Sequence, residues 1–302
     1  AVLLSYAKIA LNQELLASDF PDDPRLLEEL LLYFPQQLRE RWRDQIARHR
    51  LRREIIATFV TNSIVDRGGI TFVDALKDRT GRTAADVARA FSITVAAFGL
   101  RDLWHGIEAL DGRVDAALQI RMLLEARRLI TRGSLWFLRY GAAGLDVASY
   151  LESFRPGIER YCAHLAAEQP EEATGARAAR RTDLVAQGVD ADLARAVAGL
   201  DALASAPDVV RIAASAGAAV EDVARLYFAV GERFRLDWLR AAAEHLRATT
   251  GWQRLAIETF VDDLYGHQAQ LAGRGLAGAP PAGAPIDSRA AARGGGDAWA
   301  AA

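Results

Sequence analysis

The chain has 302 residues, of which 51% are hydrophobic and 25% are charged, a balance typical of a globular protein with a sizeable core. Its formal net charge of -2 argues against a general binder of polyanions, and its single cysteine, Cys162, excludes an intrachain disulfide and a thiolate metal cluster. We expect a reducing, cytoplasmic location and no membrane partner, because no apolar run approaches the roughly 20 residues of a membrane span.

The first residues read as the middle of a helix rather than as the start of a protein. No methionine opens the sequence, and the only methionine is Met122. The first stretch, AVLLSYAKIALNQELL, carries Lys8 and Glu14 and lacks the basic leader of a signal peptide. We therefore expect this sequence to be a piece of a longer polypeptide.

Helical periodicity runs through almost the whole sequence. Apolar residues recur at i, i+3, i+4 and i+7 in stretches such as PRLLEELLLYF, RREIIATFVTNSIVDR, TAADVARAFSITVAAFG and VEDVARLYFAVGERFRLDWLRAAAEHL. Turn signals such as SDFPDDP, RGGIT, RTGRT and FRPG separate these stretches, and no stretch alternates as a strand would. The pattern predicts an all-α fold, a multi-helix bundle of two helical subdomains that contain helix–turn–helix-like units.

The most basic stretch, RERWRDQIARHRLRRE at 39–54, contains seven arginines and three acidic residues. It is typical of a surface that docks an anion or a partner, since arginine makes bidentate contacts with carboxylates. A solvated helix face with local ion pairs explains the same composition. The sequence leaves both interpretations open.

Threonines mark the starts of two helices in the next part of the chain. Thr71 is followed by Asp74, and Thr83 is followed by Asp86, each at the spacing of a capping residue and a first-turn acid. Gly81 lies between the two helices, where a left-handed C-cap is expected.

Composition also suggests the domain organisation. We expect a first helical subdomain at 1–165, a polar linker or long loop at 166–182, and a second helical subdomain at 183–270. A disordered, low-complexity tail is expected at 271–302, where Gly, Pro and Ala dominate.

A faint internal repeat links the two halves. The stretch DVARAFSITVAAFGL at 86–100 aligns without a gap with DVARLYFAVGERFRL at 222–236, which suggests one helical unit used twice. In each copy a turn glycine, Gly81 or Gly217, has the spacing of a helix–turn–helix. A DNA-binding role stays open beside a structural helix pair, although Glu221 and Asp222 would repel phosphate at the start of the second helix.

Residues for chemistry are scarce. The five histidines are scattered without a second ligand at i+4, and Cys162 and His164 point apart on a helix. Lys8 and Lys77 are the only lysines; Lys8 borders an apolar stripe, and Lys77 is expected to face solvent on a short capped helix. We expect core packing for four tryptophans in apolar helical contexts: Trp104, Trp136, Trp238 and Trp252.

The stretch GRGLAG at 273–278 matches the dinucleotide-binding pattern G-x-G-x-x-G. A dinucleotide-binding site needs a strand before this pattern and a helix after it. Here a helical stretch precedes the pattern and the proline-containing APPAGAP follows it, so the sequence predicts neither element. We predict no catalytic, cofactor-binding or metal-binding residue in this sequence.

Several stretches together resemble one family. LLSYAKIAL, ELLASDFPDDP, YFPQQLRERW and HRLRREIIATFVTNSIVDRGGITFV, followed later by FRPG, DVARLYFAVGERFRLDWLR, WQRLA and DDLY, are similar to the C-terminal region of the large bacterial NAD-specific glutamate dehydrogenases. The resemblance covers roughly residues 1–270 and is most specific at 49–73.

The resemblance implies a parent enzyme that oxidatively deaminates L-glutamate to 2-oxoglutarate with NAD. The family's dehydrogenase core lies N-terminal to this region, so its catalytic lysines, aspartate and NAD site would precede residue 1, and NAD is expected for the parent enzyme only. This segment is similar to a module for assembly or regulation that packs on its own catalytic domain, with homo-oligomerisation through the intact enzyme. The alternative is a freestanding helical scaffold or helix–turn–helix DNA-binding protein.

Five residues are candidates for interdomain or partner contacts on this basis. For Asn62 and for 66–69, helix termination is an equally good explanation. The candidates are Arg50, Arg52, Arg53, Asn62 and Arg67.

Overall fold

The computed structural model describes residues 2–167 and 175–277, and in these ranges every regular element is a helix, which confirms the all-α prediction. The first part contains α1 (Val2–Leu16), 3-10 helices at Phe20–Asp22 and Pro24–Leu26, α2 (Leu27–Leu32), α3 (Gln36–Arg41), α4 (Arg43–Ala47), α5 (Arg52–Gly68), α6 (Phe72–Thr80), α7 (Ala84–Ala97), α8 (Leu100–Glu108) and α9 (Ala116–Tyr140). The later part contains α10 (Val147–Ala167), α11 (Gly175–Ala186), α12 (Ala191–Ala198), α13 (Leu200–Leu203), α14 (Ala206–Ala216), α15 (Val220–Arg233), α16 (Leu236–Glu244) and α17 (Gly251–Ala277). Within the described ranges, no helix has both the length and the apolar content needed to cross a bilayer.

The chain packs as two compact units, 1–210 and 211–302, and the division falls within α14. The linker predicted at 166–182 lies partly outside the described residues, and its described part belongs to α10 and α11. Helix α17 ends at Ala277, inside the predicted tail, whose remainder lies outside the described residues. The predicted subdomain borders stay a prediction.

Helix α7 forms the centre of the first unit. It packs against α1, α5, α6, α9 and α10, and nearly all of its residues are buried. Small residues allow this close packing: a Cβ at Gly133 of α9 would lie 2.6 Å from Thr94 Cγ2 on α7. Because α7 stands where a recognition helix would stand in the first helix–turn–helix unit, that unit has no exposed helix face to place in a DNA groove.

The helix boundaries support one predicted cap and correct another. Thr83 Oγ1 accepts a hydrogen bond from Asp86 N at 3.1 Å, and the Asp86 carboxylate accepts from Thr83 N at 3.4 Å, which completes a capping box. Gly81 adopts the predicted left-handed conformation, with φ 67°. The predicted cap at Thr71 is wrong, since that residue has helical backbone angles and its side chain accepts no hydrogen bond from the first-turn N–H groups.

The internal repeat extends over four helices. Adding one constant number of residues to the first and last residues of α7 and α8 gives the first and last residues of α15 and α16. The flanking helices α6 and α9 correspond to α14 and α17. The corner between the two middle helices also repeats, as Phe98–Gly99–Leu100 and Phe234–Arg235–Leu236. Gly99 has φ 62° and Arg235 has φ 52°, so both corners need a left-handed residue.

Exchanging residues at these corners is expected to change stability in opposite directions. Gly99→Ala should lower the free energy of unfolding of the first unit by about 1 kcal/mol, because a left-handed backbone strains any residue with a Cβ. Arg235→Gly should raise that of the second unit by about 0.5 kcal/mol, since relief of strain exceeds the entropic cost of glycine. Urea unfolding followed by circular dichroism measures both effects.

The matched control for the corner variants is Gly266→Ala. Gly266 lies inside α17 with open space around its Cα, so alanine should stabilise the helix by about 1 kcal/mol. If Gly99→Ala also stabilised the chain, the left-handed corner would not be a constraint.

Candidate docking surface

The arginine-rich segment 39–54 forms α3, α4 and the start of α5 at one corner of the first unit. Two of its arginines bind other parts of the same unit. Arg43 forms an ion pair with Glu28 at 2.6 Å. Arg53 Nη2 donates to the carbonyl oxygens of Leu16 at 2.9 Å and Ser18 at 3.0 Å, and its Nη1 pairs with the carboxylate of Asp22. Arg53 therefore holds the turn after α1 in place.

The same corner exposes large apolar side chains. The helices α2, α3 and α4 have five or six residues each, and each of them contacts the other two. The ring of Phe34 packs at 5.9 Å from His49, which brings the end of α4 beside the end of α2. The side chains left outside are Tyr33 (57% exposed), Leu38 (43%), Trp42 (42%) and Leu51 (49%).

Arginines accompany these apolar side chains in the sequence, since Arg41 precedes Trp42, and Arg50 and Arg52 flank Leu51. The guanidinium of Arg41 lies 5.3 Å from the ring centroid of Trp42, in a cation–π arrangement. Arg50 and Arg52 form no ion pair with any carboxylate in the described part of the chain. The basic aromatic surface, as we call it, consists of Tyr33, Leu38, Trp42 and Leu51 with Arg41, Arg50 and Arg52.

The predicted contact residues do not form one site. Arg50 is exposed and Arg52 is half-buried on the basic aromatic surface, whereas Arg53, also half-buried, donates to carbonyl oxygens at the end of α1. Asn62 is half-buried in the middle of α5. Arg67, near the end of α5, pairs with Glu108 at 2.5 Å and lies 4.6 Å over the ring of Trp104. A role in partner contacts stays a prediction for all five.

The sequence interpretation missed the aromatic members of this surface. Tyr33 falls in the helical pattern PRLLEELLLYF, and Trp42 falls in the basic stretch 39–54, whose interpretation as a docking surface depends on its arginines alone. An aromatic residue inside a run of arginines was the signal that could have identified the surface, because Trp, Tyr and Arg are enriched at interfaces.

A second apolar region lies at the start of α1. Leu11 and Leu15 are 5% and 0% exposed on the side of α1 that packs against α5 and α7. The preceding turns instead expose Leu3 (73%) and Tyr6 (68%), together with Val2 and Ile9. Side chains of this size, exposed together at one helix end, are typical of a contact with another structural element.

The groups that could do chemistry are engaged in structure. Lys8 pairs with Asp66 at 2.9 Å, and Lys77 pairs with Glu14 at 2.9 Å, a hydrogen bond that raises the pKa of Lys77. Lys77 is therefore ion-paired rather than simply solvated as expected. Burial raises the pKa of Cys162 to about 11, so its thiol stays protonated at neutral pH. Across 2–167 and 175–277, no three His, Cys, Asp or Glu side chains lie close enough together to hold a metal ion.

A cleft of 470 Å³ in the first unit is mainly apolar. Leu103, Leu165, Leu193 and Leu200 form part of its wall. Asp192, at its edge, is paired with Arg195 on the same helix at 3.0 Å. Asp102, Arg177 and Arg181 also line the cleft, so charged groups surround an apolar wall.

The tryptophan prediction is half right. Trp104 and Trp136 are buried, with 5% and 8% exposed, whereas Trp238 and Trp252 are 61% and 82% exposed. The two exposed residues belong to the second unit, Trp238 to α16 and Trp252 to the first turn of α17. The glycines of GRGLAG up to Gly275 lie in α17 and so follow no strand.

Comparison with known proteins identifies the family to which this sequence is similar. The sequence model of the family described as "Glutamate dehydrogenase, C-terminal" matches residues 1–292. The chain is 38% identical to the NAD-specific glutamate dehydrogenase of Halomonas elongata over 271 residues, which are 90% of this chain and 17% of that protein. It is 38% identical to that of Pseudomonas aeruginosa over 264 residues (87% and 16%) and 32% identical to that of Mycobacterium tuberculosis over 266 residues (88% and 16%).

The chain therefore spans 16–17% of the length of these relatives. The match of the family model covers all of the described helices, including both copies of the repeat. The chain belongs to the family of glutamate dehydrogenase C-terminal domains.

Proposed function

We propose that this chain is the C-terminal docking module of a polypeptide that oxidatively deaminates L-glutamate to 2-oxoglutarate and ammonia with NAD. The relatives that bear the name NAD-specific glutamate dehydrogenase are far longer than this chain, and it matches only a small share of each. In this proposal the dehydrogenase part of the polypeptide binds NAD and carries the catalytic residues, and the 302 residues support its assembly in the cytoplasm.

The basic aromatic surface is the observation that supports docking most directly. Interface energy is concentrated in Trp, Tyr and Arg, and Trp42 with Arg41 stacked on it combines two of these types. Burying an exposed apolar side chain contributes roughly 25 cal/mol per Å² of area removed from water. Arg50 and Arg52 would then pair with carboxylates of the dehydrogenase part, which fixes the orientation of the docked module.

The start of α1 adds a second contact in this proposal. Leu3 and Tyr6 would be covered by the part of the polypeptide that precedes them, and the ion pair of Lys8 with Asp66 would hold α1 against α5. Docking would also bring subunits together as a homo-oligomer through the intact enzyme.

Removing the 302 residues from the intact polypeptide tests the proposal. We expect the truncated enzyme to lose its native subunit assembly in light-scattering measurements while it retains the hydride-transfer step in single-turnover measurements. The isolated chain should show no saturable NAD binding by calorimetry and no turnover of glutamate. Saturable NAD binding by the isolated chain, or unchanged assembly after truncation, would contradict the proposal.

A further inference from the structure

A stripe of exposed apolar side chains runs along α16 in the second unit. Phe234 is 50% exposed, Trp238 61% and Leu246 62%, and the exposed Ala242 lies between the last two. Trp238 and Ala242 lie one turn apart on α16, whereas Phe234 precedes the left-handed corner at Arg235 and Leu246 follows the end of the helix. We call Phe234, Trp238, Ala242 and Leu246 the α16 stripe.

The repeat shows what covers such a stripe. The first-unit counterparts of the α16 stripe are Phe98, Asp102, Gly106 and Leu110. Helix α12 packs against α8 at Gly106, where a Cβ would be 3.3 Å from Leu193 Cδ1, and Leu110 is only 3% exposed, whereas Asp102 is exposed. In the first unit another helix therefore covers the position that corresponds to Ala242.

Three exposed arginines lie at the ends of the α16 stripe, in a segment that also contains the acidic residues Glu232, Asp237 and Glu244, of which Asp237 pairs with Arg240. Arg233 and Arg235 flank Phe234 at one end, and Arg247 follows Leu246 at the other; all three are exposed. None of the three pairs with a carboxylate of the described residues, and the guanidinium of Arg235 lies 5.7 Å from the ring centroid of Trp238. An apolar stripe with positive charge at both ends complements a helix that has an apolar face and carboxylates beside it.

We propose that the α16 stripe binds an acidic amphipathic α-helix of the dehydrogenase part of the same polypeptide. This inference rests on the proposed docking function and assigns to the second unit a contact separate from the basic aromatic surface. Trp238 and Phe234 contact the apolar face of the incoming helix, whose side chains take the place that Leu193 of α12 has against α8 in the first unit. Arg233, Arg235 and Arg247 pair with its carboxylates and set its direction along α16.

Cysteine labelling of the full-length polypeptide tests the contact. Ala242→Cys is placed in the Cys162→Ser background, and the alkylation rate is quantified on the peptide that carries position 242. We expect labelling at 242 to be at least about tenfold slower in the intact polypeptide than in the 302-residue chain, because a bound helix must open before the thiol reacts. The matched control, Ala229→Cys, lies at an exposed position of α15 outside the stripe and should label equally fast in both.

Charge reversal identifies the chemistry of the partner. Arg233→Glu combined with Arg235→Glu should return labelling at 242 in the intact polypeptide to within about twofold of the isolated chain, because acidic groups on the incoming helix would then be repelled. Protection that disappears on dilution would show instead that a second copy covers the stripe. Protection that requires added DNA or RNA would show a nucleic acid ligand. Either result overturns the proposal.

A third labelling position separates this inference from the docking function itself. Arg50→Cys reports on the basic aromatic surface. Protection at 50 without protection at 242 overturns only the assignment of the α16 stripe. An absence of protection at both positions overturns the docking function together with it.

Discussion

Replacing Trp42 by alanine is expected to weaken the docking of the 302-residue chain on the separately produced dehydrogenase part by about 30-fold, which corresponds to about 2 kcal/mol. Trp42 is the largest side chain of the basic aromatic surface, and 42% of it is exposed in the undocked chain. Its loss also removes the ring on which Arg41 stacks, so two contacts of the interface are lost with one substitution. Calorimetric titration of one part with the other measures the change in Kd.

Trp252→Ala is the matched control for this prediction. It removes the same side chain from a position that is 82% exposed, but in the second unit and outside the basic aromatic surface. We expect its effect on Kd to be less than about twofold, because surface substitutions away from an interface change little. Equal effects of the two substitutions would mean that a general loss of exposed aromatic area, and not this surface, determines docking.

Arg50→Glu tests the electrostatic part of the same interface. We expect it to weaken docking at low ionic strength and to have a smaller effect as salt is added, because exposed charges are screened over about 10 Å at 0.1 M salt. Trp42→Ala should be nearly insensitive to salt, so the two variants separate the apolar and ionic contributions.

The fold class could be read from the sequence because helix formation follows local patterns. The apolar spacing in 84–97 and the capping pair Thr83 and Asp86 act within a few residues, and α7 forms where they indicate. The repeat was detectable for the same reason, since Gly81 and Gly217 must both adopt positive φ. Thr71 shows the limit of predicting caps from sequence, because its spacing from Asp74 fits a capping residue while its backbone conformation does not.

The docking surface could be predicted only in part, because exposure depends on contacts between distant residues. Arg50 and Arg53 have the same local context, yet Arg53 reaches carbonyl oxygens at the end of α1 while Arg50 remains outside. Trp104 and Trp238 both lie in apolar helices, but only Trp104 is covered by neighbouring side chains. Helical periodicity identifies a face that can be buried and does not say whether another element covers it.

The close contact between α7 and α9 gives the other large expected effect. Gly133→Ala should lower the free energy of unfolding of the first unit by about 2 kcal/mol, although alanine favours a helix over glycine by about 1 kcal/mol. The new Cβ would lie 2.6 Å from Thr94 Cγ2, and Thr94 is fully buried, so one helix must shift within a packed core. Hydrogen exchange of the α7 amides measures the loss in the first unit separately from the second.

Thr94→Ser decides whether that methyl group is the cause. The serine lacks Cγ2 but keeps the hydroxyl that donates to the Ala90 carbonyl oxygen at 2.8 Å. In the Thr94→Ser background, Gly133→Ala should be neutral or stabilising by up to about 1 kcal/mol, since the helix preference of alanine then outweighs the residual contact with the hydroxyl. The coupling energy of the cycle should therefore be about 2–3 kcal/mol. If Gly133→Ala had the same effect in both backgrounds, α7 and α9 would be free to move apart, and the central position of α7 would not fix the geometry of the first unit.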